Sequence, residues 1–430
     1  MRNEFFDFYY WKNVFTGSDT RKRLTENFLS LSVLQALNYL LPLITLPYLV
    51  RVLGPEKYGL ISFAQAFIGY FVILTDYGFN LSATREISIN RENEEKVSEI
   101  FSSVMIIKFL LGILSFFILG LILLFIPKFK NDWIIYLFTF GTVLGNILFP
   151  VWFFQGMENM KWITILNVIA RGIFTVLIFV FVHKESDYLN VAIINSLGML
   201  IAGIISLVVV FKNFKVKFIF PKLESIKNQL KEGWHIFIAQ VAISGYTYSR
   251  TFAVGLFTNN TITGYYAIAE KLMNVIQTFP LGSITQSLYP RISKIYTENK
   301  QKAINLMKRF QKFTILVYLI WLPIIYFLSP LLIKIIAGEP YPEVILAFRL
   351  LLLAIFFINA NAFRVNFLLI SGRDNIYSRI HIIMGTIGLF LTFLMTYFFS
   401  FVGTATSIII ISFFVLILTI KYLLKENLKI

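Results

Sequence analysis

The sequence predicts an all-α polytopic membrane protein, with about twelve transmembrane helices in two six-helix bundles related by a parallel repeat. Three observations carry that reading. The 430 residues are 57% hydrophobic and only 14% charged, with a mean hydropathy of +0.73, a balance that no water-exposed surface of that size accommodates. Apolar runs of about 20 residues, the length a helix needs to cross roughly 30 Å of hydrocarbon, recur from Asn27 to the C-terminus with short breaks. Alternation over about 10 residues, the mark of barrel strands, does not occur.

Taken in order, the predicted spans are 27–50, 58–80, 100–127, 133–156, 160–182, 188–211, 233–257, 262–288, 313–337, 343–370, 376–399 and 403–424. Lys and Arg crowd one set of connections and are scarce in the other, so the positive-inside rule places both termini in the cytoplasm. The same distribution accounts for the formal net charge of +16 and the pI near 9.7. The excess sits in inner connections such as 212–231 and 291–312, so membrane lipids with anionic headgroups are expected partners and nucleic acid is not. The absence of cysteine excludes disulfides and thiolate metal sites.

Residues 1–26 read as a cytoplasmic N-terminal segment without the apolar core and cleavage site of a signal peptide, so the first spanning helix is expected to direct insertion. Within it, FFDFYYW (Phe5–Trp11) precedes the basic Arg21–Arg23. That cluster reads either as an interfacial anchor or as a disordered aromatic tail. The N-terminal six-helix bundle spans 27–211 and the C-terminal one 233–430. Between them the linker 212–232 carries Lys212, Lys215, Lys217, Lys222, Lys227 and Lys231. Setting Gly59 against Gly264 places SFAQ (Ser62–Gln65) against AIAE (Ala267–Glu270), and REIS (Arg85–Ser88) against PRIS (Pro290–Ser293). With six helices per half, both copies start from the same side, which makes the repeat parallel.

The stretch NYLLPLITLPYLVRVLGPEKYG (Asn38–Gly59) sets two prolines in the first span. Pro42 and Pro47, like Pro150, Pro280, Pro323 and Pro330 in other spans, each remove a helix hydrogen bond. Kinked helices in two related bundles suit alternating access, the bundles rocking about a central cavity. Proline in static membrane proteins is common as well.

No enzyme is expected. GxxxxGK[ST], HExxH and GxSxG motifs are absent, and His183, His235 and His381 stand far apart. His235 reads as an interfacial hydrogen-bonding residue, since a metal site needs several convergent donors. The connections are too short to hold a soluble catalytic domain, or the large outer loop that a glycan polymerase, ligase or glycosyltransferase would need. No metal or organic cofactor is implied.

Charges inside the spans are the informative residues, because each costs about 2.5–3.5 kcal/mol or more at the bilayer centre and so faces a wet cavity or a partner. The candidates are Asp76, Lys108, Arg171, Arg250, Glu270, Lys271, Arg349 and Arg364. At about 1.5 Å per residue, Arg171 and Glu270 fall near the midplane, while Lys108 and Arg349 are shallow enough to snorkel. Asp76 lies near the inner end of its span, as an inner-mouth residue in an ion pair or cap. A cationic interior suits phosphate and carboxylate, whereas a carrier of organic cations would be lined with Asp and Glu. The alternative is structural: the arginines pair with Asp76, Glu270 or backbone carbonyls and hold helices together.

On the seventh helix Gln240, Ser244, Thr247 and Thr251 recur at i, i+4, i+7 and i+11 as one polar stripe, flanked by Tyr248 and Arg250. Such a face suits sugar rings, although small polar residues also glue helices. Asn359 and Asn366 share a face of the tenth helix, with Arg364 pointing elsewhere. The cavity candidates are therefore Arg171, Gln240, Ser244, Thr247, Arg250, Thr251, Lys271 and Arg364. Glu270 and Asp76 are the ion-coupling candidates.

The first-span motif above, followed by DYGFNLSATREIS (Asp76–Ser88), GNILFPVWFFQGMENMKW (Gly145–Trp162) and ITQSLYPRIS (Ile284–Ser293), closely resembles the Wzx-type O-antigen transporters. They form part of the polysaccharide-transport branch of the multidrug/oligosaccharidyl-lipid/polysaccharide flippase superfamily. The resemblance covers nearly the whole chain from about Arg23, and LGPExxG with YPRIS is its most specific element. It implies a twelve-helix flippase moving an undecaprenyl-pyrophosphate-linked oligosaccharide from the cytoplasmic to the periplasmic leaflet, with the polysaccharide polymerase and chain-length machinery as protein partners. It carries over no catalytic residue, and the aromatic N-terminal extension departs from it.

On this reading the cations hold the pyrophosphate or an acidic sugar, the stripe meets the glycan, and the polyprenyl tail stays in lipid. A proton or sodium gradient is the expected driving force. Glu270 is the leading coupling group, because a carboxylate near the midplane can be neutral in one state and ionised in another. Lys271 beside it opposes that change. The rival is a cation- or drug-exporting antiporter of the same superfamily.

Overall fold

Gly54 joins two crossings through a single residue. Its φ of 70° and ψ of 168° belong to a region open essentially to glycine alone, and Pro55 restarts the helix where its missing N–H would be unpaired anyway. LGPE is thus a turn, and α1 (Asp19–Asp76) continues on both sides of it. The predicted outer connection 51–57 shrinks to that one residue. In this computed structural model residues 19–278, 292–293 and 295–425 are described, with side chains from Leu41 onward except at 243–245, 278 and 374. Phe5–Trp11, the side chains of Arg21–Arg23 and Ser244, Pro280 and the pair Pro290, Arg291 fall outside the described residues.

The helices after α1 are α2 (Phe79–Ile89), α3 (Glu94–Phe125), the short α4 (Pro127–Lys130), α5 (Trp133–Leu148), α6 (Val151–Gly156), α7 (Met160–Phe181) and α8 (Tyr188–Asn213). Then come α9 (Leu223–Phe257), α10 (Asn260–Thr278), α11 (Lys300–Ala337), α12 (Pro342–Ile370) and α13 (Asp374–Lys425). No strand occurs among the described residues. Among the described residues, eight continuous helical segments are long and apolar enough to cross a membrane. Two of these are double, broken at Gly54 and at Ser400. The remaining two crossings, α9 and α10, fall short in hydropathy because they carry Gln240, Thr247, Arg250, Thr251, Glu270 and Lys271. The twelve-span architecture follows.

Two compact units are present: one comprises the segment ending at Thr45, Phe71–His183 and Leu189–Ile238, the other Leu46–Tyr70, Lys184–Tyr188 and the chain from Ala239. In the first, Pro150 ends α5 and the chain restarts as α6, whose Trp152, Phe153 and Phe154 are fully buried. The Phe153 ring meets Phe101 of α3 edge to face at 5.6 Å, and Thr84 of α2 donates to the Trp152 carbonyl at 3.0 Å. Fully burying such aromatic side chains stabilises by roughly 1.5–3 kcal/mol each, so FPVWFFQG is a core motif. Residues 214–222 leave the helix and lie beside α3, the Lys217 and Ile219 amides donating to Ser98 Oγ and Ser102 Oγ at 3.1 and 3.0 Å. The predicted linker is pinned there, and from Leu223 it is already α9.

In the second unit, residues 55–59 of α1 lie backbone to backbone against the first turn of α10. A Cβ on Gly59 would strike the Asn260 carbonyl and the Gly264 amide nitrogen; one on Gly264 would strike the Pro55 carbonyl and approach the Gly59 nitrogen. Pro55 pairs with Asn260 in the register that pairs Gly59 with Gly264, so the contact is reciprocal, as a two-fold axis requires. One helical face further on, Phe63, Phe67 and Tyr70 pack around Phe252 of α9 with ring centroids 5.5, 5.7 and 5.3 Å away. Arg51 reaches the Ile335 carbonyl, one of the last four of α11 that have no partner inside their own helix.

Candidate functional site

In the second unit α9 and α10 bring Tyr246, Arg250, Thr251 and Glu270 together. Arg250 follows Tyr246 by one turn, and its guanidinium carbon lies 4.7 Å from the Tyr246 ring centroid, a cation–π contact. Arg250 Nη1 stands 3.8 Å from Glu270 Oε1, and the two side chains are 13% and 14% exposed. Thr251 Oγ1 donates to Glu270 Oε2 at 2.6 Å. Glu270 therefore has one charged and one neutral partner from the facing helix, about 15 Å along α10 from its start. Tyr266, one turn before Glu270, is fully buried.

A cavity of about 380 Å³ opens beside the cluster, lined by Tyr246 and Arg250 of α9, Asn361 and Asn366 of α12, and His381 and Ser412 of α13. Asn361 Nδ2 donates to Thr419 Oγ1 at 3.2 Å. Its Oδ1 and Arg250 Nε are buried without a hydrogen-bond partner among the described residues. Unsatisfied buried polar atoms are uncommon, and here a donor and an acceptor belong to residues lining one cavity. Of the lining residues, the sequence reading singled out Arg250 and Asn366. Tyr246 carried a usable signal, its i, i+4 spacing to Arg250; Asn361 and His381 carried none.

The polar stripe is divided. Thr251 is buried against Glu270, Gln240 is half-buried and Thr247 exposed. Lys271, the next residue after Glu270, is exposed on α10. Arg364 is half-buried and turns back to the Ala360 carbonyl of its own helix.

In the first unit Asp76 Oδ1 receives Lys108 Nζ at 2.9 Å, with Lys108 buried to 1%. Arg171 of α7 is half-buried and makes no hydrogen bond or ion pair with any described residue. No group of three or more His, Asp or Glu among the described residues is placed to hold a metal ion. Lys108, Arg250 and Arg364 thus each meet a carboxylate or a carbonyl, whereas Arg171 meets neither among the described residues.

Residues 24–296 match the family described as polysaccharide biosynthesis protein. The chain belongs to that family. A relative from Escherichia coli (strain K12), provisionally named O-antigen transporter, is 32% identical over 387 residues, which cover 90% of this chain and 93% of its own. Among solved structures, the lipid II flippase MurJ in an inward closed conformation superposes with a TM-score of 0.73 at 15% identity, over 91% of this chain and 87% of that one. An inward-facing multidrug resistance MATE family transporter of the MOP superfamily gives 0.72 at 14% identity, over 93% and 98%. Both likenesses show the fold, which the family evidently shares with carriers of unlike cargo.

Proposed function

We propose that the chain is a flippase for a lipid-linked oligosaccharide, moving an undecaprenyl-pyrophosphate-linked repeat unit from the cytoplasmic to the periplasmic leaflet of a bacterial inner membrane by alternating access, for O-antigen or a related surface polysaccharide. The observation that carries this reading is the relationship to the Escherichia coli O-antigen transporter along nine-tenths of the chain. Its electrostatics point the same way: six of the eight candidate charges within the spans are cationic, and cations suit a pyrophosphate or acidic sugar. In this reading Arg171 contacts the anionic part of the cargo, and the cavity beside Arg250, with its amide and hydroxyl groups, meets polar groups of the glycan. Glu270 couples transport to a proton or sodium gradient by exchanging Arg250 and Thr251 for the ion. Polymerase and chain-length proteins would take up the product.

The drug-exporting alternative rests on fold alone, since the MATE likeness stands at 14% identity. The test is reconstitution in proteoliposomes with lipid-linked oligosaccharide extracted from the native host. The proposal expects glycan to become accessible to an external glycosidase only with the protein present. Export of an organic cation with no glycan movement would overturn it.

A further inference from the structure

Arg349 of α12 occupies a place that neither the family nor the proposed transport reaction explains. Pro330 in α11 has no N–H, so the carbonyl of Tyr326, four residues earlier, loses its helical partner. Ser329 Oγ donates to that carbonyl at 2.6 Å and Arg349 Nε approaches it at 3.4 Å, while Arg349 Nε donates to Ser329 Oγ at 2.9 Å. The guanidinium carbon lies 4.4 Å from the Tyr326 ring centroid. One edge and one face of the guanidinium are thereby fixed. Its two terminal nitrogens make no hydrogen bond or ion pair with any described residue.

Arg349 lines two apolar cavities, which also share Tyr326 and Leu353. One, of about 450 Å³, reaches toward Pro342 at the start of α12. The other, about 360 Å³, follows α11 toward Tyr318 and α12 toward Phe356. Arg349 is the one charged residue among those lining the two cavities, so the groove has one cationic point and a long greasy slot leading away from it toward the membrane interior. Arg349 lies about 10 Å from the start of α12, and its side chain leans toward that end, as helical side chains do. That depth lets a guanidinium reach the headgroup phosphates of the nearer leaflet. The charge reading makes this the outer leaflet.

We infer that Arg349 and the groove between α11 and α12 bind a bilayer glycerophospholipid, the phosphodiester on the two free guanidinium nitrogens and an acyl chain in the slot along Leu322 and Leu352. A guanidinium edge matches two phosphate oxygens, and hydrocarbon fills a slot that water would leave. The inference stands whether or not the carried substrate is a lipid-linked glycan. Such a lipid holds α11 against α12 where Pro330 has weakened the helix.

Native mass spectrometry of the full chain, purified in detergent and delipidated, tests this by titration with palmitoyl-oleoyl phosphatidylglycerol, with diacylglycerol of the same chains, and with undecaprenyl phosphate. The expected result is one retained phosphatidylglycerol, with affinity reduced about tenfold or more in Arg349→Gln, the range for losing a charge-assisted contact, and no diacylglycerol adduct. Leu353→Trp, which fills the slot but keeps the arginine, is expected to give the same loss and guards against misfolding of Arg349→Gln. Equal phosphatidylglycerol binding by wild type and both variants, equal binding of diacylglycerol, or exclusive binding of undecaprenyl phosphate would overturn the inference.

Discussion

Lys108 Nζ lies 2.9 Å from Asp76 Oδ1 and 3.3 Å from the Asn146 carbonyl. That carbonyl is the one Pro150 cannot serve, four residues on. The end of α5 at Pro150 is therefore supported by a cation from α3, together with the Phe149 amide, much as Arg349 from α12 supports the Pro330 break in α11. Removing one partner of a buried pair leaves an uncompensated charge and costs roughly 3–5 kcal/mol. Lys108→Met is thus expected to lower the melting temperature in detergent sharply, with the double variant Asp76→Leu/Lys108→Met recovering much of the loss. A double variant no better than the single would mean the pair is not the stabilising unit.

Because Lys108 already neutralises Asp76, the two acidic candidates should part company. Glu270→Gln keeps the hydrogen bond from Thr251 but removes the charge, and is expected to abolish the ion dependence of transport. Asp76→Asn should lower stability and leave that dependence in place. Transport assays with and without proton and sodium gradients read both; an unchanged ion dependence in Glu270→Gln removes it from the coupling role.

Two arginines allow stability and transport to be separated. Arg171→Ala breaks no polar contact among the described residues, so it is expected to melt like wild type yet lose most transport. Arg250→Ala leaves Glu270 buried without its cation, and both its melting temperature and its transport should fall. Thermal melts alongside flipping assays make the comparison, and normal transport by Arg171→Ala would show that the residue merely faces lipid.

At Gly59 the obstacle is backbone, which cannot swing aside as a side chain does. Overpacking of this kind typically costs about 1–3 kcal/mol, so Gly59→Ala and Gly264→Ala should each lower the melting temperature. Gly120→Ala, where a Cβ meets nothing within 4 Å, is the matched control. Equal melting of all three would argue against the close contact of α1 with α10.

Much of the architecture was legible because a membrane helix has a fixed minimum length and cytoplasmic loops collect lysine and arginine. Gly54–Pro55 announced its turn. Ser400, at φ 56° and ψ −146°, did not, since neither glycine nor proline stands there. α2 was read as the tail of a span and an inner loop; Tyr77 and Gly78, both at positive φ, end α1 and start a new helix. The charged residues were identifiable from their cost in lipid, but not their partners. The stripe on α9 is periodic in sequence, yet periodicity does not reveal which edge a neighbouring helix covers, and α10 takes Thr251 for Glu270. His381 and Asn361 were invisible because their cavity is assembled from three helices distant in sequence.

The most direct test deletes the gene in its own host and follows lipid-linked oligosaccharides and surface polysaccharide, with complementation by wild type, Arg171→Ala and Arg250→Ala. Undecaprenyl-linked units are expected to accumulate on the cytoplasmic side while surface polymer disappears, with wild type restoring polymer and neither variant doing so. Normal surface polymer accompanied by greater drug sensitivity would contradict the flippase account and make the chain an exporter.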